Sequence, residues 1–263
     1  MTSRNWLRQQ LSEGRTVRAI WQELASPTLA EAAIWAGWDC VLIDNEHGQG
    51  DLASTVQMVR AVEAAGGHYI VRVPWNDQVY LKRILDLGIH TIMVPMVNDR
   101  AAAEAAVAAC RYPGKGARGY AAPIVRASHY GARPQYVSES TDELFLLAQI
   151  EHREAVPNIA EIAAVEGIDM LFLGPHDLAG SIGKLERLTE EEVEAYVGET
   201  EAAIRATGKP MGTVGRPLRT YGELQTRGHS LIVGPSDIGL YAEAVREAGQ
   251  EMDRQLSAAG DAA

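Results

Sequence analysis

Residues 144 to 178 read LFLLAQIEHREAVPNIAEIAAVEGIDMLFLGPHDL. Two apolar runs of strand length flank one segment of helix length, which is the pattern of a strand, a crossover helix and a second strand. A carboxylate follows each run, Glu151 after LFLLAQI and Asp177 shortly after MLFLG. Because parallel strands joined by one crossover end at the same edge of a sheet, we expect both carboxylates at one rim. Two acids at one rim favour a site for a divalent metal ion.

The same alternation of strand-like and helix-like segments continues through the rest of the chain. The strand-like segments are residues 17–22, 40–43, 68–74, 91–95, 144–150, 170–174, 210–214 and 230–234. Eight such units without a dividing linker predict a single domain over residues 1–263, folded as a TIM (β/α)8 barrel. An open, doubly wound sheet is the alternative. Residues 111–141 lack apolar periodicity and are expected to form a long loop, serving as a lid, a binding loop or an assembly surface.

Composition and charge argue against several classes of partner. The net charge of −11 and the lack of a polybasic cluster argue against nucleic acid, and we interpret the acidity as favouring solubility. Neither a signal-peptide-like apolar run nor a membrane-length apolar stretch occurs, so we expect a cytoplasmic protein without a membrane segment. Cys40 and Cys110 lack metal-ligand spacing and are expected to be buried free thiols in a reducing compartment.

Two further polar side chains lie near strand ends in the same way as the carboxylates. His47 follows the second strand-like segment, and Arg72 lies near the end of the third. A TIM barrel gathers the C-terminal ends of all its strands around one mouth, where active sites of this fold lie. The joint placement of His47, Arg72, Glu151 and Asp177 therefore favours a functional site.

Each of these residues also has a structural interpretation. A lone histidine such as His47 is more often a satisfied surface or loop residue. A carboxylate such as Glu151 in a first helical turn complements the helix dipole, and Asp177 could be a helix N-cap. A buried Arg72 could be explained by an ion pair with Asp44 or Glu46 alone. These alternatives are open at the level of sequence.

The four side chains fit one kind of chemistry. Two carboxylates leave positions open on an octahedral cation such as Mg²⁺, Mn²⁺ or Co²⁺, and a 2-oxo acid can fill two of them. The cation then acts as a Lewis acid on the ketone and lowers the cost of removing a C3 proton, giving an enolate. Arg72 could add positive charge, and His47 could be the base, directly or through water, with Asp44 orienting its ring. No lysine ends a recognisable strand, which weakens a Schiff-base mechanism.

Several ordered motifs then carry a resemblance to a known family. They are LIDNEHG (42–48), VRVPWND (71–77), LGIHTIMVPMV (87–97), RYPGKGARG (111–119), QIEHREAVPNI (149–159) and GIDMLFLGPHDLAGSIG (167–183). From Asn5 to about Glu247 the chain resembles the metal-dependent class II pyruvate aldolases, typified by 4-hydroxy-2-oxoheptane-1,7-dioate aldolase and 2-keto-3-deoxy-sugar-acid aldolases. The resemblance implies an (αβ)8 barrel and reversible aldol cleavage of 4-hydroxy-2-oxo acids to pyruvate, or hydroxypyruvate, and an aldehyde.

The resemblance also assigns roles to individual residues. It implies that Glu151 and Asp177 bind the metal, and that His47 is the catalytic histidine, paired with Asp44. Arg72 would contact pyruvate, Gln149 would line the site, and the backbone at Gly174 and His176 would hold the substrate carboxylate. Asp86 would be an acid that reaches a neighbouring subunit's site. It further implies a hexamer built as a trimer of dimers, with the last helix exchanged between partners.

Departures from the family pattern concern the aldehyde. Residues 120–123 read YAAP where relatives often carry a small hydroxyl, and residues 213–216 read TVGR where an apolar tract is common. Val214 is a candidate substrate contact. Arg216 could attract an acidic aldehyde, although a solvated surface arginine is the preferred interpretation.

Other functions share much of this machinery. The same enolate arises in oxaloacetate decarboxylation and in lyases of CoA thioesters, but no basic site for CoA phosphates is evident in the sequence. A metabolite-binding barrel without catalysis is the alternative from a different class.

Overall fold

The computed structural model describes residues 5–260, which form a closed barrel of parallel strands surrounded by helices. The strands are β1 (Val17–Gln22), β2 (Cys40–Asp44), β3 (His68–Arg72), β4 (Thr91–Val94), β5 (Phe145–Ile150), β6 (Met170–Leu173), β7 (Met211–Val214) and β8 (His229–Ser236). Each strand pairs with its neighbours in chain order, and β8 pairs with β1. The predicted TIM barrel is confirmed, and the open sheet is excluded.

The helices lie between the strands, outside the barrel. They are α1 (Trp6–Ser12), α2 (Pro27–Trp35), α3 (Leu52–Ala64), α4 (Gln78–Asp86), α5 (Arg100–Cys110), α6 (Tyr136–Glu143), α7 (Ile159–Ala163), α8 (Pro175–Ser181), α9 (Glu191–Ala206), α10 (Tyr221–Thr226) and α11 (Asp237–Gly260). Local signals set several of their ends: Ser26 caps α2 by accepting a hydrogen bond from the Leu29 amide, as its sequence predicts. Within residues 5–260, no helix has both the length and the apolarity needed to cross a membrane.

The segment from 111 to 141 differs from the expected loop. It contains two 3-10 turns, and α6 begins inside it at Tyr136. The sequence of α6 lacks an apolar stripe, and long-range contacts order it instead: Tyr136 packs edge-on against Tyr112 and accepts a hydrogen bond of 3.0 Å from Arg118 Nη2. Tertiary contacts override weak local propensity at this point.

Apolar side chains fill two layers, one inside the barrel and one between barrel and helices. Leu42, Leu147 and Phe172 belong to the inner layer, and their strands are buried on both faces. Alternate residues of each strand therefore face either the barrel interior or the helices.

Cys40 and Cys110 are buried free thiols, as expected, and burial raises the pKa of both.

Arg216 is not the solvated surface residue that the sequence favoured. Its side chain is only 1% exposed, and Nη2 donates to Oε1 of Glu201 on α9 at 2.8 Å. Glu201 also accepts a hydrogen bond from Arg227 Nε at 2.7 Å, and its Oε1 lies 2.9 Å from Nε2 of His229. The interpretation was wrong because the carboxylate that draws Arg216 inward lies on a helix distant in sequence. The buried network anchors the loop after β7 to the outer helices.

The network predicts an acid-sensitive contribution to stability. Burial alone would raise the pKa of Glu201, but hydrogen bonds from His229, Arg216 and Arg227 outweigh it and lower the pKa to about 2, from 4.5. A carboxylate with a depressed pKa in the folded state stabilises above its unfolded pKa, and this contribution is lost as pH falls towards about 2. We expect Glu201→Gln to lower the free energy of unfolding at pH 7 by about 3–5 kcal/mol.

Urea unfolding at a series of pH values tests this expectation. Glu201→Gln should have a flatter dependence of unfolding free energy on pH below 5 (roughly the unfolded pKa of glutamate) than the unaltered protein. Glu166→Gln, which alters a carboxylate that is 94% exposed, is the matched control and should keep the original slope. Equal slopes for both variants would contradict the role assigned to Glu201.

A second prediction concerns the packing of the barrel interior. A Cβ atom on Gly212 of β7 would lie 2.7 Å from the Phe172 ring, whereas one on Gly222 of α10 would meet nothing within 4 Å. We expect Gly212→Ala to destabilise the protein by about 1–3 kcal/mol through overpacking. Gly222→Ala should be neutral, or stabilising by about 0.5–1 kcal/mol through helix propensity. Thermal unfolding monitored by circular dichroism compares the two, and equal midpoints would contradict the packing argument.

Candidate active site

A cavity of about 300 Å³ opens at the C-terminal ends of the strands. Seven residues that the sequence singled out line it: His47, Arg72, Gln149, Gly174, His176, Asp177 and Val214. A larger cavity, of about 810 Å³, lies at the opposite end of the barrel beside Asn5 and His90, and no predicted site residue lines it. Convergence of polar groups, rather than size, therefore locates the candidate site.

Glu151 directly follows β5 and is almost fully buried against Gly174, which lines this cavity. Its Oε1 accepts a hydrogen bond of 2.8 Å from the Met96 amide, and its Oε2 accepts one from Gln149 Nε2. Met96 has a left-handed backbone (φ 53°), a strained conformation that delivers this amide. Burial raises the pKa of Glu151 to about 7; the Met96 amide opposes the rise, and the negative charges of Asp177 and Glu46 add to it.

Glu151 and Asp177 form a donor set that fits a divalent cation. A buried carboxylate with acidic neighbours is stabilised by a bound cation, and two carboxylates suit Mg²⁺ or Mn²⁺. Position 174 must be glycine here, because a Cβ atom would lie 2.8 Å from Glu151 Oε2. Among residues 5–260 no group of three or more His, Cys, Asp or Glu residues could hold a metal, so further ligands would be water or substrate.

Arg72 is held by two carboxylates beside this pair. Its Nε and Nη2 donate to Asp44 at 2.9 and 2.6 Å, and Nη1 lies 2.8 Å from Glu46 Oε2. The guanidinium also lies over the Trp21 ring, 4.5 Å from its centre. Burial alone would lower the pKa of Arg72, but Asp44 and Glu46 raise it, so the side chain stays charged. The ion pairs that the sequence left open are both present, and Arg72 nevertheless lines the cavity.

His47 lies at the mouth with its side chain 67% exposed. The expected pairing with Asp44 is not seen, because Asp44 lies directly opposite Arg72 in the register of β2 and β3 and both its oxygens bind that arginine. The carboxylate nearest to the ring belongs to Glu46, whose Oε2 is 3.9 Å from His47 Nε2. Glu46 therefore links the histidine and the arginine of the site.

The other predicted residues have mixed outcomes. The resemblance implied that the Gly174 amide helps to hold a substrate carboxylate. In the structure this amide donates to the Ile150 carbonyl at 3.0 Å, so it is not free for that role. His176 lies in the first turn of α8 and lines the cavity. Asp86 ends α4 and accepts a hydrogen bond of 2.8 Å from Arg118, away from the cavity of its own chain.

Sequence reasoning missed four residues of this region. They are Trp21 and Glu23 at the end of β1, Glu46, and Met96 after β4. Trp21 and Glu23 obey the same strand-end rule that identified Arg72, so the rule applied to β1 would have found them. Glu46 entered only as an ion-pair alternative, and a backbone donor such as Met96 leaves no signal in its side chain.

Comparisons with known proteins identify the family of this chain. The family model described as HpcH/HpaI aldolase/citrate lyase matches residues 18–244. A 4-hydroxy-2-oxovalerate aldolase of Novosphingobium aromaticivorans is 40% identical over 257 residues, 97% of each chain. A hydroxypyruvate/pyruvate aldolase of Deinococcus radiodurans is 36% identical over 92% of this chain and 87% of its own length.

A solved structure extends the match to three dimensions. The crystal structure of a HpcH/HpaI aldolase/citrate lyase family protein from Burkholderia cenocepacia has a TM-score of 0.88 and 32% identity, over 95% of this chain and 99% of that chain. With the family model and the close relatives, this establishes that the chain belongs to the HpcH/HpaI aldolase/citrate lyase family.

Proposed function

We propose that this chain catalyses the reversible aldol cleavage of 4-hydroxy-2-oxo acids to pyruvate, or hydroxypyruvate, and an aldehyde. The observation that carries the proposal is the carboxylate pair Glu151 and Asp177 beside a charged Arg72 at one barrel mouth. Relatives named as aldolases of 4-hydroxy-2-oxo acids and of hydroxypyruvate and pyruvate support it. The chain is accordingly a carbon–carbon lyase.

Glu151 and Asp177 would hold a divalent cation, Mg²⁺, Mn²⁺ or Co²⁺, as their donor chemistry favours. When bound, the cation would supply Lewis-acid polarisation of the ketone and so lower the cost of forming an enolate. Arg72, fixed on two sides by Asp44 and Glu46, would place its charge beside the developing negative oxygen. Its position is set before substrate arrives, which avoids reorganisation during the reaction.

Proton transfer falls to His47. In the cleavage direction the C4 hydroxyl loses its proton and becomes the aldehyde carbonyl, while the C3–C4 bond breaks and its electron pair forms the enolate. Protonation at C3 then gives pyruvate. An imidazole at the mouth can accept the first proton and supply the second.

The enolate step can be tested apart from any aldehyde. In D₂O with Mn²⁺, the protein should exchange the methyl protons of pyruvate for deuterium, as followed by proton NMR. Removing the metal with a chelator, or replacing either ligand by Glu151→Gln or Asp177→Asn, should slow the exchange at least about 100-fold, since Lewis-acid stabilisation is worth several kcal/mol.

The control is Glu154→Gln, which alters a carboxylate that is 70% exposed in the same loop as Glu151. It should exchange at the rate of the unaltered protein. Exchange that survives both the chelator and the two ligand substitutions would refute the assigned metal ligands. A complete lack of exchange in the unaltered protein would refute the proposed function.

We further propose that the chain assembles with copies of itself through α11, as a trimer of dimers. Residues 241–258 of this 24-residue helix are exposed, including the apolar residues Tyr241, Val245, Met252 and Leu256. An apolar groove of about 590 Å³ lies beside α2 and the start of α11, lined by residues such as Trp38. Exposed apolar surface of this kind marks an assembly site.

In such an assembly Asp86 would serve a neighbouring chain. Its carboxylate is 20% exposed and lies outside the cavity of its own barrel, oriented by Arg118. Any catalytic role of Asp86 would therefore be in the site of another subunit, in keeping with the family resemblance.

Assembly can be tested by sedimentation velocity. The full chain of 28.5 kDa should sediment as a hexamer. Val245→Glu should shift the protein to smaller species, because a charge buried at an interface without a partner costs several kcal/mol. Gln250→Glu adds the same charge to an exposed polar position of α11 and should leave the hexamer intact. A monomeric unaltered protein at micromolar concentration would contradict the proposal.

A further inference from the structure

The mouth of the barrel divides into two halves. Arg72 ends β3, Glu151 follows β5, and Asp177 lies shortly after β6. The proposed function places pyruvate on this side of the mouth. The remaining side of the same cavity is formed by the ends of β7, β8 and β1, which are consecutive in the closed barrel. An aldehyde that reacts with the enolate therefore approaches along this second side, which we call the acceptor half.

Glu23 supplies the acidic side chain of the acceptor half. It follows β1 directly, and its backbone is fixed on both sides: its amide donates to Asp237 Oδ1 at 3.0 Å, and its carbonyl accepts from the Gln49 amide at 2.9 Å. Its half-buried carboxylate lines the cavity and makes no hydrogen bond or ion pair with any residue from 5 to 260. The backbone is held, and the charged group is left for an occupant of the cavity.

No cation in this half compensates the charge of Glu23. Arg216, the arginine nearest in sequence to the wall at Val214, is withdrawn into its ion pair with Glu201. Arg72 is already paired with Asp44 and Glu46, and no lysine among residues 5–260 lines the cavity. Burial and the negative charges of Asp44 and Asp237 raise the pKa of Glu23. The charges of Arg72 and His47, in the other half, lower this pKa but do not outweigh them. An anionic aldehyde would therefore meet an excess of negative charge in a confined space of about 300 Å³.

We infer that Glu23 determines acceptor specificity, disfavouring aldehydes that carry a carboxylate and accepting hydrogen bonds from neutral, hydroxylated aldehydes. The inference rests on the proposed aldolase function and adds a substrate class to it. Like charges held within a small, partly desolvated cavity repel strongly, whereas a carboxylate is a good acceptor for a hydroxyl group. Discrimination of this kind arises from a repulsive element as much as from an attractive one.

Glyoxylate and glycolaldehyde make a matched pair of probes, because they differ only in carrying a carboxylate or a hydroxymethyl group. Each is condensed with pyruvate in the presence of Mn²⁺ at pH 8, and kcat/KM is measured for both. Burial raises the pKa of Glu23, and a mildly alkaline pH favours its ionised form. Glu23→Gln should raise the glyoxylate-to-glycolaldehyde ratio about tenfold, and Glu23→Lys should raise it further.

Glu166→Gln removes the same charge from an exposed position outside the cavity and should leave the ratio unchanged. Pyruvate methyl exchange in the unaltered protein distinguishes a failure of the proposed function from a failure of the role inferred for Glu23. If exchange occurs but neither Glu23 variant alters the ratio, the inference is overturned and the proposed function stands. If exchange is absent, the proposed function fails and the inference fails with it.

Discussion

The pairing of β8 with β1 is the constraint on which the rest of this structure depends. It closes the sheet, and closure forces the C-terminal ends of all eight strands into one ring. Residues as distant in the chain as Trp21 and Val214 then line the same cavity as Arg72 and Asp177. The same closure buries both faces of the sheet, so the strands carry apolar side chains towards the helices as well as towards the interior.

The electrostatics of the mouth follow from this crowding. Five carboxylates gather around a single guanidinium; they are Glu23, Asp44, Glu46, Glu151 and Asp177. One arginine cannot compensate them all, and the raised pKa of Glu151 reports the excess of negative charge together with burial. A divalent cation is the natural complement of such a site, since it neutralises the acids and lets Arg72 keep its charge for a substrate.

Much of this was predictable from sequence where the signal is local. Strand ends, glycine and proline breaks and the apolar runs predicted the barrel, and the strand-end rule predicted that Glu151, Asp177, His47 and Arg72 lie near one mouth. The failures share a physical cause, which is partnership between distant residues. Arg216 is buried because Glu201 lies on another element, and Asp44 binds Arg72 because β2 and β3 align them. No local pattern encodes either contact.

The burial of Arg216 has a consequence for how this protein can change over evolutionary time. The wall at Val214 is anchored outward to α9, while Arg72 is anchored to Asp44 and Glu46 on the opposite side of the mouth. Two separate sets of ion pairs thus support the two sides of one cavity. Mutations that remodel the side near β7 therefore leave the ion pairs of the other side in place, so the two sides can vary independently.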